Sequence, residues 1–235
     1  MANFIHQIFR MVWAGVSVLV LSTITYADEA IPAGKSDSVV FNTLYESILK
    51  DAGVDYVMLD LPTARKRRMF VEAELLIDCC AASAWRTRPS ELAVQLHSKP
   101  FVQSAEHYFY HIDNAIDVSS TDELQKYRLA VVRGFVYKDD HLFRYVVGAA
   151  TTAEMMKLVA IGRAEVGIIN PYDFKRRLEK SKLPLRLGGV HEASPLVIRV
   201  HKKVGHYLPK INAVIDRYRE EGRLDKTQLL GPSSH

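Results

Sequence analysis

The sequence predicts an α/β protein with mainly parallel sheets flanked by helices. Three observations carry that prediction. Short apolar runs alternate with longer amphipathic stretches along most of the chain, the pattern of strands buried on both faces and of helices that cover them. Turn-forming residues mark the junctions, as in "LDLPT", "VVRGF" and "IINPY". The 235 residues, 48% of them hydrophobic, suffice for one large core or two smaller ones.

The elements follow in order. Residues 1–27 carry Arg10 ahead of an apolar run of about 14 residues and end on Thr25-Tyr26-Ala27. That is the layout of a secretory signal peptide, and the run falls short of the ~20 residues that span a bilayer. Residues 28–37 are polar, contain Pro32 and Gly34, and read as a loop. Ser36 or Asp37 caps a helix over 38–52, whose Val40, Leu44, Ile48 and Leu49 share one face before Gly53 ends it. "VDYVMLDL" reads as a strand stopped by Pro62, and Thr63 caps a helix to about residue 74. "LLIDCCAAS" is a buried strand; "AVQLHSKPF" and "EHYFYHID" are further extended pieces. After the short helix "DELQKY" comes the strand "RLAVVRG", and "DDHLFRYVVG" is expected to be helical. Thr151 and Glu154 form a capping box that opens a helix to about Gly162. "EVGIIN" is a strand that stops at Asn170-Pro171, with a helix over 172–181 behind it. Two strands, "LRLGGV" and "PLVIRVHK", and one long helix, "LPKINAVIDRYREEG", complete the pattern. In parallel sheets ligands gather outside the carboxyl ends of strands. This directs attention to Asn170, Gly134 and the loop over 82–88.

Composition narrows the function classes. Removing residues 1–27 leaves 30 Lys and Arg against 27 Asp and Glu, too even a balance for a nucleic-acid binder. The cluster Arg65 to Arg68 reads as the solvated face of a helix. Cys79 and Cys80 are adjacent. Their Cα atoms would lie about 3.8 Å apart across a trans peptide, less than a usual disulfide span, so they are expected as two small strand residues. His107 and His111 are expected on a strand, about 13 Å apart, too far for one metal. No HExxH, G-x-S-x-G, Walker or G-x-G-x-x-G sequence occurs. No catalytic residue, metal or cofactor is therefore expected.

The order of pieces resembles a known family. "GRAEVGIIN", "YRLAVVRG" and the ending "IRVHKKVGHYLPKINAVIDRYREEGRLDKTQLLG", with Lys202, Asn212, Ile215, Gly222 and Leu224, look like the type II periplasmic solute-binding proteins. More narrowly they resemble the polar-amino-acid substrate-binding family of ABC transporters. "LPTARKRRMFVEAELLID" and "RPSELAVQLHSKPF", with Ser98 and Pro100, resemble its first-half segments. The resemblance implies two α/β lobes, 28–112 with 194–235 and 113–193, closing by a hinge over a ligand. "HYFYHID" and "ASPLVIRV" would be the crossings. It implies a non-enzymatic periplasmic protein that binds a small polar or anionic solute, possibly amino-acid-like, and delivers it to a membrane permease. A sensor or interaction protein on the same fold, one that signals to a membrane receptor or has lost small-molecule binding, is the alternative.

The sequence departs from the family pattern at several places. The arginine that clamps a ligand carboxylate falls at Glu91, with Arg88 and Arg86 three and five residues earlier. Phe135 stands where a Ser or Thr follows the strand glycine. Asn170 stands where an aspartate meets an amino group, with Asp173 three residues on. A β-rich run ahead of the first helix is missing. The candidate site is accordingly Arg86, Arg88 and Arg133 as anion partners, Asn170 as a hydrogen-bonding group, and Trp85 and Phe135 as packing surfaces.

Overall fold

The four residues Ile31–Gly34 form a strand, β1, where the sequence reading expected a loop and a missing wall. This computed structural model describes residues 30–224 apart from 117 and 119. The signal-peptide expectation over 1–27 and the tail beyond 224 lie outside the described residues. β1 pairs in parallel with β2, Tyr56–Leu59, over its whole length, and with β3, Ile77–Ala81, only at Ala33 and Gly34. Pro32 therefore sits before the β3 ladder begins, where its lack of an N–H costs no ladder bond. Its carbonyl accepts from Leu76 N at 2.9 Å. A strand this short, built on Pro, Ala and Gly, carries no alternation that a sequence pattern can report.

Helix α1, Val39–Asp51, lies between β1 and β2 in the chain and buries Phe41, Tyr45, Ile48 and Leu49. Gly53 adopts the positive φ of 67° that ends it. Helix α2, Thr63–Val71, follows β2, but Thr63 does not cap it. Its hydroxyl donates instead to Asp37 Oδ2 at 2.9 Å. After β3 come a 3-10 turn at Ser83–Trp85, helix α3 at Pro89–Val94, the short strand β4 at Gln95–His97, and the ten-residue β5 at Val102–His111. Cys79 and Cys80 are joined to each other rather than reduced. The peptide between them is cis, so the distance argument from a trans peptide does not hold.

Strands β6, Arg128–Val132, and β7, Tyr145–Ala149, pair in parallel in full register. This replaces the helix expected over 139–148. Asp139 takes a left-handed φ of 58° and only one 3-10 turn, Asp140–Leu142, precedes the β-branched run. Helix α4, Thr152–Ala160, starts at the expected Thr151 cap, with Glu154 reaching back to the residue before it. Thr151 Oγ1 accepts from Glu154 N at 3.1 Å, and Glu154 accepts from Ala150 N at 2.6 Å. Strand β8, Val166–Ile169, and helix α5, Pro171–Ser181, follow. The two strands expected over 185–201 are one continuous 17-residue strand, β9, Leu185–His201. A 3-10 turn at Lys202–Tyr207 leads to the last helix, α6, Leu208–Glu220.

The strand order is β2-β1-β3-β9-β5-β8-β6-β7, with β4 also on β9. Parallel pairing is confined to β1–β3 and to β6–β8; the long β5 and β9 run antiparallel through the middle. Each end has its own core. One packs α1 and α6 on the β1–β3 end through Tyr45, Ile77, Ile198, Ile211 and Tyr218. The β6–β8 end has two cores. One holds Phe109, Met155, Met156 and Phe174; the other holds Tyr110, Leu124, Leu129 and Ile168. Among the described residues, β5 and β9 are the strands that run from one end to the other. Among the described residues no helix is long and apolar enough to cross a membrane.

Candidate functional site

A cavity of about 120 Å³ lies where the carboxyl ends of β3 and β8 face each other. From the β1–β3 end come the residues after β1, the Asp78-Cys79-Cys80 run, Trp85 and Arg86. From the other end come Phe135 and Tyr137 after β6, Met155 on α4, and Asn170 and Asp173 at the start of α5. Ser104 and Glu106 on β5, with His191 and Glu192 on β9, supply the wall between them. This is the position that chain topology reserves for a ligand in such sheets.

The β3 side rests on a buried ionic network. Arg199, fully buried on β9, donates to Asp78 at 2.6 Å, approaches Glu91 at 3.4 Å, and packs over the Phe70 ring at 4.3 Å. Glu91 also takes two bonds from Arg67, at 2.9 and 2.5 Å. Burial alone would raise Asp78, but Lys66 and Arg199 hold its carboxyl below the ordinary range. Glu91 is held down in the same way, chiefly by Arg67 against burial. Lys66, 3.9 Å from Asp78, and Arg86, 4.0 Å from Glu91, add two more cations to two carboxylates. The network therefore carries surplus positive charge, and both Lys66 and Arg86 reach the cavity wall. Burial, then the neighbouring Arg199 and Arg67, lower Arg86 to about 10, so it stays charged at neutral pH.

Several buried polar atoms of the wall have no hydrogen-bond partner: Arg86 Nε, Asp78 Oδ1, Asp173 Oδ1 and His191 Nε2. Such atoms cost free energy unless something satisfies them, and here both ends of the molecule contribute them. His191 Nδ1 and the Tyr108 hydroxyl share a bond of 3.0 Å, which orients the ring.

The residues expected at the site divide into two groups. Trp85, Arg86, Phe135 and Asn170 come together in the cavity wall. Trp85 donates its indole N–H to both Glu192 oxygens at 3.3 Å. Asn170 caps α5 through its Oδ1, which accepts from Tyr172 N at 2.9 Å, and its amide donates to Ser104 Oγ at 2.9 Å and Ala105 O at 3.3 Å. Arg88 and Arg133 are elsewhere. Arg88, which precedes α3, is exposed in a separate groove lined also by Arg67, Arg68, Glu91 and Gly134. Arg133 donates to Gly148 O at 2.8 Å and lies over β7. Glu91, at the position expected to hold an arginine clamp, is itself held by arginines beneath the cavity.

Sequence reasoning missed Lys66, Asp78, Glu106, His191 and Glu192. Two carried a readable signal. Asp78 is an acid inside the apolar run "LLIDCCAA", and Glu106 an acid inside "SAEHYFY"; neither belongs in a buried strand without a partner or a task.

No family model matches the sequence, and no curated protein matches it. Solved structures do. The chain is similar to the P235GK mutant of ArgBP from T. maritima, at 16% identity and a TM-score of 0.68, over 84% of this chain and 92% of that one. It is similar to the GluR0 ligand-binding core in complex with L-glutamate, at 12% identity and a TM-score of 0.70, over 86% and 97%. It is also similar to a histidine kinase sensor domain with similarity to periplasmic binding proteins, at 11% identity and a TM-score of 0.69, over 84% and 92%. Two strand groups, two crossing strands and a cavity at the strand ends, together with these likenesses, give this chain the fold of the type II periplasmic binding proteins.

Proposed function

We propose that this chain is an exported, non-enzymatic solute-binding protein whose lobes, 28–112 with 194–235 and 113–193, close over one small ligand. The observation that carries this reading is the cavity wall itself, where both ends of the molecule present buried polar atoms with no hydrogen-bond partner. A polar ligand would supply partners to such groups. Lys66 and Arg86 are placed for an anionic group of that ligand, with Arg86 presenting a planar fork. Trp85 and Phe135 face its apolar part, and Asn170 sets the edge of the wall. Export through residues 1–27 would put the protein in the periplasm, and a membrane permease would receive the solute. A second reading, a sensor that reports occupancy to a membrane receptor, draws on the likeness to a histidine kinase sensor domain.

The protein from residue 28 onward, purified natively, tests this. A bound small mass in the native mass spectrum, or a melting shift with amino acids, small carboxylates or amines, is the expected result. Neither effect across the panel overturns it. With the ligand in hand, Arg86→Ala is expected to weaken binding by about 3 kcal/mol, roughly a hundredfold. Unchanged affinity removes Arg86 from the site.

A further inference from the structure

Cys79 and Cys80 stand in the cavity wall, bonded to each other. The ladder between β3 and β9 is interrupted at this pair. Asp78 faces Arg199 and Ala81 faces Val197, so two residues of β3, Cys79 and Cys80, oppose one residue of β9, Ile198. Two against one is a β-bulge, a device that re-aims side chains beside a site. A regular strand would carry the two sulfurs to opposite faces. The bond and the bulge therefore go together, and a reduced pair no longer requires the extra residue.

An independent observation is what hangs from the bulge. Before it, the Asp78 carboxylate accepts from Arg199 at 2.6 Å. After it, the 3-10 turn carries Trp85, whose indole N–H reaches across to Glu192 on β9 at 3.3 Å. Arg86 follows, buried, with its carbonyl accepting from Gln95 at 3.1 Å. Drawing the extra residue back into regular pairing slips the chain after it by one position along β9, and such a slip turns side chains to the other face. The places of Trp85 and Arg86 in the wall thus depend on the bulge. The two sulfurs also differ in access. Cys79 is 5% exposed and packs into the β1–β3 core, whereas Cys80 is half-buried and lines the cavity.

We propose that the Cys79–Cys80 disulfide is a thiol–disulfide exchange site through which a dithiol reductant resets the cavity wall. One thiolate of the dithiol attacks Cys80 Sγ; the bond to Cys79 Sγ breaks, and Cys79 leaves as a thiolate that takes up a proton. The second thiolate of the dithiol then attacks its own sulfur in the mixed disulfide, and Cys80 leaves in the same way. The protein gains two electrons and two protons, and the dithiol becomes a disulfide. The inference rests on the solute-binding reading for its purpose and adds a control to it. The bonded pair holds Trp85 and Arg86 in the wall, and the reduced pair releases them.

Trp85 is the one tryptophan after residue 27, so in the chain from residue 28 onward its fluorescence reports on this wall. Protein isolated without reductant is expected to offer no thiol to alkylation in urea, and both cysteines after native treatment with dithiothreitol. Reduction is expected to raise the acrylamide quenching rate of Trp85, corrected for its lifetime, at least about twofold, and oxidised glutathione is expected to reverse the change. The double variant Cys79→Ser, Cys80→Ser is expected to show the raised rate with or without dithiothreitol, its folding checked by circular dichroism; the comparison of oxidised and reduced native protein needs no variant. Free thiols in the protein as isolated overturn the proposal, as does a disulfide that yields to dithiothreitol only in urea. An unchanged quenching rate in the fully reduced protein also overturns it. Each of these results leaves the solute-binding reading standing if the native protein carries a bound mass. A raised rate in a protein that carries no bound mass and responds to no solute supports the exchange site and overturns the solute-binding reading instead.

Discussion

Glu106 shows how one residue ties the cavity to pH. Burial first, then Asp173 and Glu192, raise its carboxyl to about 8, against the ordinary value near 4.5. It is partly exposed and lines the cavity. Between those values the folded protein holds a proton that the unfolded chain releases, so this group makes stability fall as pH rises from about 4.5 to 8. Asp173 on α5 is raised by burial too and acts in the same direction. The other groups facing Glu106 are Glu192 and His191 on β9, Tyr137 after β6 and Asp37 after β1. Glu106→Gln is therefore expected to stabilise the ligand-free protein by about 2 kcal/mol at pH 8.5 and to change little at pH 5. Urea melts at the two pH values check this, and an equal effect at both would refute it. Other residues that stand out in the sequence turn out to be structural. Ser98 Oγ accepts from Ile198 N at 2.9 Å, and Asn212 Oδ1 accepts from Lys99 N at 2.8 Å. These bonds fasten the returning chain to the loop before β5, which is why those residue types stand at those places.

At the scale of elements, Asn170 joins three of them. It ends β8, caps α5 and binds β5 through Ser104 and Ala105. The "IINP" that ends β8 is thus a structural joint as well as a cavity edge: the polar residue satisfies helix N–H groups that the strand's end leaves open. Asn170→Ala removes the cap and the strand tie together. A loss of about 1–3 kcal/mol is expected in chemical denaturation, and a loss below about 0.5 kcal/mol, the size of a neutral surface change, would show that the joint is dispensable. Asn170→Asp keeps the cap but loses the amide donors. It is expected to recover roughly half of that stability.

At the scale of the molecule, the two ends touch beside the cavity, where α2 meets the loop after β6. Arg67, held by Glu91, donates to Gly134 O at 3.2 Å. Gly134 has a φ of 91°, and a Cβ there would lie 2.5 Å from Ala64 N. Backbone against backbone cannot yield as a side-chain tip can, and the left-handed φ adds its own cost for any other residue. Gly134→Ala is expected to hold the two ends apart. On the proposed closure of the lobes over a ligand, affinity should fall at least about tenfold by the population-shift rule. X-ray scattering should then show no contraction when ligand is added. A variant that contracts and binds normally would mean that this contact does not limit closure.

Local pattern was enough for the alternation of strands and helices, for the cap at Thr151 and for most element positions, because these depend on neighbours within a turn or a strand. It was not enough for β1, whose four residues carry no period, or for β7, whose "LFRYVV" reads equally as a helix face. Trp85, Arg86, Phe135 and Asn170 were legible as cavity residues because they follow strand ends, where topology places ligands. Arg88 and Arg133 also follow strand ends, yet one faces out beside α3 and the other turns over β7. Only the register of β5 on β9 sets Glu106 against Glu192, across 86 residues of sequence. Only the crossing of β9 past β3 buries Arg199 between Asp78 and Glu91. Charge pairing of this kind depends on distances between residues remote in the chain. The sequence by itself therefore determined the elements and the places where strands end, and the tertiary structure alone decided which charges meet there.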